Sequence, residues 1–199
     1  MKRTMYDGSN PEIEQLYHLD CLNDVLIYRF EFEAKEFICR EGQDLPYVLF
    51  VCSGQAKVFT DTDNGRRFLN CFYKRGGMMG DIEFFQGSLN GSLEACSSVQ
   101  AMTDLNCIGF YVKENYETLL ACREFIFRVG QTVARKLARA SKNGAHNLLY
   151  PLEVRLCSYL DTACVGSYFT EQLTEVAQVL GTSYRHLLRE IQSLVAEGI

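Results

Sequence analysis

The sequence predicts an α+β chain in which an antiparallel β-roll is followed by a long helix and then by a compact helical segment. Three observations lead to this prediction. Short β-rich runs separated by turn residues fill positions 28–112. A helical repeat of apolar residues covers 123–143, and two short helices interrupted by one glycine follow it. At 199 residues the chain is long enough to bury a real core, in one large domain or two small ones.

The first half of the chain is predicted to be mostly strand. A loose helical spacing of apolar residues over 10–26 precedes it. The expected strands are 28–33, 37–40, 47–53, 55–61, 66–73, 94–102 and 105–112. Asp63-Asn64-Gly65 has residues that tolerate positive φ in a tight hairpin. Turns at such regular intervals favour a sandwich, roll or barrel over strands alternating with helices.

Helices follow the predicted roll, first a short one over 113–121 and then a long one over 123–143. The long helix has an apolar stripe at three- and four-residue spacing, formed by Ile126, Val129, Val133, Leu137 and Ala140. That stripe could cover the chain's own sheet or pair with a second copy. Pairing is favoured because a helix that follows a complete sheet has little left to cover. We therefore predict a homodimer formed through this stripe.

The C-terminal segment predicts a helix-turn-helix. After a helix that begins at Pro151, two more are expected at about 170–179 and 182–196, hinged at Gly181. Ala177 is small enough for close helix crossing, and Gly181 can adopt the left-handed conformation of a tight turn. Thr182 or Ser183 is placed to cap the second helix.

The exposed side of that second helix carries the candidate DNA-binding residues. They are Thr182, Ser183, Tyr184, Arg185, His186 and Arg189. A helix-turn-helix presents such positions to base edges in the major groove, where arginine can bond guanine in bidentate fashion. The other interpretation is an ordinary helical hairpin whose polar residues face solvent.

Charge and cysteine content set further limits. The net charge is −5, but residues 123–199 carry nine Lys/Arg against seven Asp/Glu, a net +2, so that the rear part can approach phosphate. The nine cysteines include no Cys-x-x-Cys pair and mostly lie in apolar runs. We therefore interpret them as core-filling thiols and predict no metal and no cofactor.

The order of β-roll, long helix and helix-turn-helix resembles that of the cyclic-AMP receptor/FNR superfamily of bacterial transcription regulators. The resemblance in the order of elements extends over nearly the whole chain. Three segments also resemble the family individually, namely 37–42, which ends in Glu-Gly, the strand-Gly-strand hairpin 49–58, and 80–85, where the family's phosphate cassette begins. The stretch 183–188 is similar to the YeiL-type branch.

The resemblance implies a cyclic-nucleotide-binding-like sensor domain over 1–122, a connecting dimerisation helix over 123–150, and a DNA-binding domain over 151–199. The implied effector pocket is Gly80, Asp81, Ile82, Glu83, Cys96, Ser97 and Ser98. The arginine that neutralises the cyclic phosphate in nucleotide binders has no counterpart, because no Lys or Arg occurs from Gly76 to Val112. We therefore predict that any effector is not cyclic AMP but an unknown small molecule or a redox signal, and the sequence leaves open whether an effector is needed.

Two further departures concern DNA binding. Where cyclic-AMP-responsive members carry Arg-Glu and a later Arg, this chain has Tyr184, Arg185 and Arg189, so that a different half-site is expected. The chain also stops at Gly198-Ile199, where the family continues into a two-stranded wing, so the wing is missing here. Implied partners are double-stranded DNA and a second copy, with RNA polymerase a candidate. No secretory signal or membrane span is expected, and the predicted location is the cytoplasm.

Two other functions compete with the regulator. The first is a β-roll sensor whose degenerate helix-turn-helix binds a protein rather than DNA. The second is a β-barrel enzyme of cupin type, which needs histidine ligands inside the barrel. The three histidines are His18, His146 and His186, none within a predicted strand. We therefore predict that the protein is not an enzyme.

Overall fold

The computed structural model describes residues 1–6, 22, 25–61, 67–164, 168–169 and 171–198. The strands are β1 (Lys2–Met5), β2 (Tyr28–Phe32), β3 (Phe37–Cys39), β4 (Tyr47–Ser53), β5 (Ala56–Asp61), β6 (Arg67–Tyr73), β7 (Met78–Met79), β8 (Ser98–Ala101) and β9 (Leu105–Tyr111). The helices are α1 (Asp81–Asn90), α2 (Val112–Ala121), α3 (Arg123–Leu149), α4 (Leu152–Ala163), α5 (Leu173–Val179) and α6 (Tyr184–Glu197). Among the described residues, no helix is long and apolar enough to cross a membrane.

The strands form two sheets. One has the order β1-β2-β9-β4-β7 and the other the order β3-β8-β5-β6. Strand β9 lies between β2 and β4 and pairs antiparallel with both, with Tyr28 opposite Gly109 and Tyr47 opposite Tyr111. The α+β class with an antiparallel sheet is therefore confirmed.

Contacts divide the chain into two compact units. The first unit comprises Met1–Val58 and Tyr73–Ala138, and the second comprises Phe59–Phe72 and Arg139–Ile199. Strands β5 and β6 and helix α3 each contribute residues to both units. The boundaries predicted at 122 and 150 remain a prediction.

The core of the first unit is aromatic and lies where its helices meet the five-stranded sheet. The ring centre of Phe125 in α3 lies 5.4 Å from that of Phe84 in α1 and 5.7 Å from that of Phe110 in β9. Leu119 of α2 is fully buried in the same cluster. The beginning of α3 is thus a part of the core of the first unit.

The second unit is centred on Tyr159 in α4. Its ring lies 5.7 Å from that of Phe72 in β6 and 6.2 Å from that of Phe169. Its hydroxyl donates to Glu171 Oε2 at 3.3 Å. Burial, reinforced by the neighbouring Glu171 carboxylate, raises the pKa of Tyr159, so that the hydroxyl remains a donor.

The predicted strands agree with the structure except for the run 94–102, which is a strand only over Ser98–Ala101. Helix α1 and the short strands β1 and β7 were not predicted. Helix α1 escapes a period analysis because Phe84 and Phe85 are adjacent, a pattern equally typical of a buried strand. The predicted helix 10–26 and the hairpin turn 63–65 lie almost wholly outside the described residues.

The burial of the stripe on α3 corrects the expectation that all of it pairs with a second copy. Val129 is fully buried in the chain's own core, and Ile126 and Val133 pack against that core. These three residues therefore cover the chain's own sheet, the alternative that the sequence left open. Leu137 and Ala140 are exposed, and pairing through them remains a prediction.

Candidate nucleic-acid interface and effector site

Helices α5 and α6 are joined by a tight turn that the sequence locates correctly. Gly181 has φ +62°, and the Thr182 amide donates to the Ala177 carbonyl at 2.9 Å. Ala177 is buried, as its small size allows where the helices cross. From behind, Arg155 of α4 donates through Nη1 to the Leu180 carbonyl at 2.6 Å. The turn is thus held on both sides.

Helix α6 begins with a side-chain cap. Ser183 Oγ accepts from the His186 amide at 3.2 Å, so Ser183 rather than Thr182 is the cap. Thr182 Oγ1 instead lies 3.2 Å from His186 Nδ1, which holds the imidazole over the first turn of the helix. These two contacts fix the positions of the Ser183 hydroxyl and the His186 ring at the start of α6.

The two sides of α6 differ sharply. Leu187 and Leu194 are buried against the rest of the unit. The exposed residues of its leading half, with the cap, are Ser183, Tyr184, Arg185, His186 and Arg189. Residues 185 and 189 lie four apart on one face of the helix, so that two guanidinium groups project on the same side.

The predicted effector pocket begins at Gly80, which has φ +83° and precedes α1. A Cβ atom at this position would lie 2.1 Å from the Tyr47 carbonyl oxygen. Glycine is therefore required twice, for the left-handed backbone and for the close approach of β4. The two requirements fix where Asp81 and α1 begin.

Asp81 has a partner that the sequence did not suggest. Its Oδ1 lies 2.5 Å from Nζ of Lys136 in α3, and the carboxylate is almost fully buried. The stretch 76–112 lacks Lys and Arg, but a cation reaches the site from 55 residues away. Because Lys136 neutralises Asp81, the predicted pocket is less negative than the lack of Lys and Arg in 76–112 suggests.

The other predicted pocket residues are brought into a small network. Glu83 Oε1 accepts from the Cys96 amide at 2.9 Å, and Cys96 Sγ lies 2.8 Å from Gln86 Oε1. Ser98 Oγ accepts from the Glu41 amide at 3.1 Å. Ser97 and Ile82 are half-buried. In this arrangement, the Glu83 carboxylate takes up the backbone donor of Cys96.

The thiols at this site are poor nucleophiles. Burial and the neighbouring Glu83 carboxylate raise the pKa of Cys39 to about 12 and that of Cys96 to about 11. Burial raises the pKa of Cys52 to about 11 and also that of Cys107. Because the thiolate is the reactive form, these cysteines stay largely protonated near neutral pH. Among the described residues, no three His, Cys, Asp or Glu side chains are grouped to hold a metal ion.

Alkylation of the native protein with iodoacetamide at pH 8 should label Cys157, which is exposed, well before Cys39 or Cys107. Peptide mass spectrometry checks the order of labelling, and rapid labelling of Cys39 at pH 8 would contradict this assignment.

The raised pKa values of Cys39 and Cys96 mean that the folded state holds these thiol protons more tightly than the unfolded state. The contribution of these thiols to folding stability is full below the ordinary thiol pKa of 9.0 and is lost as pH rises towards about 12.

Residues 29–119 match the cyclic nucleotide-binding domain family. Regulatory protein YeiL of Escherichia coli O157:H7 is 27% identical over 170 residues, which cover 85% of this chain and 75% of YeiL. The chain is therefore similar to cyclic nucleotide-binding domains over 29–119 and to a regulatory protein over most of its length. The similarity to the YeiL branch is also confirmed.

Solved structures of several bacterial regulators share the fold of this chain. A Crp/Fnr-family regulator from Eubacterium rectale aligns with a TM-score of 0.74 at 15% identity, covering 96% of this chain and 86% of that one. The c-di-GMP-responsive regulator CLP of Xanthomonas campestris aligns at 0.71, with 14% identity and coverage of 95% and 93%. A CRP-family regulator from Thermus thermophilus aligns at 0.68, with 21% identity and coverage of 85% of each chain. The relatives named here are transcription regulators or regulatory proteins.

Proposed function

We propose that this Crp/Fnr-type protein is a sequence-specific regulator that binds double-stranded DNA as a homodimer. The observation that carries the proposal is the first half of α6. There Arg185, His186 and Arg189 are exposed beyond a side-chain-capped N-terminus, while Leu187 is fully buried behind them. Buried apolar residues fix the helix, and the exposed cations are left for a polyanion.

The same turn supports contact with phosphate. The amides at the start of a helix point outward and attract anions, and the first turn of α6 contains no acidic residue. Tyr184 is 48% exposed and can donate its hydroxyl to a phosphate. Phosphate contacts set the position of the helix, and the two arginines then supply base contacts.

The dimer is proposed through the exposed side of α3. Phe127 is 67% exposed and Leu137 is 72% exposed. Between and beside them lie small exposed or half-exposed residues, namely Gly130, Ala134 and Ala138. Their spacing of three and four residues is that of a helix-pairing seam. Sequence reasoning found Leu137 but missed Phe127, because both sides of the helix carry apolar residues.

Leu137→Asp should shift the protein from dimer to monomer, because it replaces the most exposed large apolar side chain of this seam with a charge. Sedimentation equilibrium at micromolar concentration measures the change, and at least a tenfold rise in the dimer dissociation constant is expected. Glu117→Asp on the exposed surface of α2 serves as the control and should leave the dimer unchanged. A Leu137→Asp protein that remains fully dimeric would place the interface elsewhere.

The effector is proposed not to be cyclic AMP. A cyclic phosphate would approach the carboxylate of Glu83, which already accepts the Cys96 amide. It would meet no arginine from the stretch 76–112. Like charges in a poorly solvated site make anion binding unfavourable.

Salt dependence of binding tests the DNA-binding function against the alternative of a protein-binding helix-turn-helix. Fluorescence anisotropy with a labelled 30-base-pair duplex should show an affinity that falls steeply and log-linearly as salt rises. RNA polymerase is a candidate further partner. No detectable binding to DNA, even at low salt, would favour the protein-binding alternative.

A further inference from the structure

A buried ion pair joins α1 to α3 within the first unit. Lys136 Nζ lies 2.5 Å from Asp81 Oδ1, donates to the Met78 carbonyl at 2.9 Å, and lies 5.0 Å from the ring centre of Tyr73. The Asp81 side chain is 1% exposed and that of Lys136 is 19% exposed. The ammonium is therefore held by a carboxylate, a carbonyl and an aromatic face. We call this group the Lys136 latch.

Asp81 depends on this latch. A buried carboxylate is costly unless it is paired with a cation, and Gly80 leaves its position little freedom. Within the part of the chain that the structure describes, its second oxygen, Oδ2, is buried and has no hydrogen-bond partner. Neutralisation of the carboxylate thus rests on Lys136.

The latch joins the helix that begins the predicted effector pocket to the long helix that leads to the second unit. Helix α1 opens the segment implied to hold the effector, and Lys136 is two residues before Ala138, where α3 leaves the first unit. An effector changes such a protein only if it binds one arrangement of the sheet and long helix better than another. The ion pair between Lys136 and Asp81 likewise stabilises one arrangement of α1 and α3, but both partners are side chains of the protein itself.

The latch also disfavours charged effectors. A cationic ligand would have to break the buried pair to reach Asp81, and an anionic ligand would face the carboxylate of Glu83. A regulator without an effector must stabilise its DNA-binding arrangement with its own residues.

We propose that Lys136 is a built-in effector, which holds α3 on α1 in the arrangement that favours DNA binding and removes the need for a small molecule. This inference rests on the proposed DNA-binding function. It goes beyond that function in assigning the activating contact to one ion pair.

The test compares Lys136→Met, Asp81→Asn and the double variant with the original protein, with no small molecule added. Hydrogen-exchange mass spectrometry without DNA follows peptides covering 78–90 and 129–140. Fluorescence anisotropy measures affinity for a duplex enriched by selection with the original protein. Lys113→Met is the matched control, since it removes a lysine from an exposed pair in which Lys113 Nζ lies 4.0 Å from Asp44 Oδ1. Lys136→Arg retains the charge and tests rescue.

Lys136→Met is expected to speed exchange in both peptides at least tenfold and to weaken DNA binding at least tenfold. Asp81→Asn should do the same. The double variant should bind DNA at least as tightly as the more impaired single variant and exchange no faster than it, because either change alone already removes the ion pair. Lys113→Met should change neither property, and Lys136→Arg should recover part of both.

Two results would overturn the inference. Unchanged exchange in Lys136→Met would show that the latch does not hold the helices together. Faster exchange with unchanged or tighter DNA binding would show that the latch does not favour the DNA-binding arrangement. If the original protein binds no DNA, the proposed function fails and the built-in effector fails with it, while the exchange measurement still reports separately on the ion pair.

Discussion

Gly80→Ala should lower the free energy of unfolding by about 4 kcal/mol, the largest effect on stability that we expect from one methyl group. The residue has φ +83°, and its added Cβ would lie 2.1 Å from the Tyr47 carbonyl oxygen. A left-handed backbone costs a non-glycine residue about 1–3 kcal/mol, and forced overpacking adds about 1–3 kcal/mol. Because the obstacle is backbone rather than a flexible side chain, β4 or α1 must move. Urea unfolding followed by circular dichroism measures the change.

Gly91→Ala provides the matched control for this prediction. Gly91 ends the same helix with φ +73°, but a Cβ there meets nothing within 4 Å. It therefore isolates the backbone cost, and a loss of about 1 kcal/mol is expected. Equal losses in the two variants would show that the contact with Tyr47 is relieved without cost and would contradict the assignment of Gly80 as a fixed point of the effector site.

Arg189→Ala should weaken binding to a selected duplex by roughly 1–3 kcal/mol, or about fivefold to more than a hundredfold. Arg189 is exposed on α6, one turn beyond Arg185 and behind the Ser183 cap, so that it can approach a base edge. Loss of a bidentate contact with guanine removes discrimination between bases as well as affinity. Competition between the selected duplex and random DNA of equal length measures both quantities.

Arg123→Ala is the charge-matched control for Arg189→Ala. It removes an exposed arginine from the first residue of α3, in the other unit. It should lower affinity for selected and random DNA equally, if at all. If Arg189→Ala also weakened both equally, Arg189 would contact phosphate only, and base recognition would have to come from other residues of α6.

The sequence predicted the elements whose signals are local. Short β-rich runs bounded by turn residues mark β4, β5 and β9, and Ala177 with Gly181 marks the turn between α5 and α6. Ser183 could be recognised as a cap candidate because capping depends on residues three apart. These features depend on neighbours in the chain, which a single sequence shows directly.

Features that depend on distant residues were not predictable. Lys136 and Asp81 are 55 positions apart, and nothing in the pattern of either segment points to the other. Apolar residues occur on both sides of α3, so that periodicity could not distinguish the buried Val129 from the exposed Phe127. Only the packing of α3 on the five-stranded sheet decides which side is left for a partner.

Selection of bound sequences from a random duplex library tests the proposed regulator most directly. The protein is incubated with the library without any small molecule, and enriched sequences are determined over several rounds. A palindrome whose half-sites lie about one helical turn apart is expected, because a homodimer presents two α6 helices to successive major grooves. Absence of any enriched sequence, with Arg189→Ala behaving the same as the original protein, would contradict sequence-specific DNA binding by this chain.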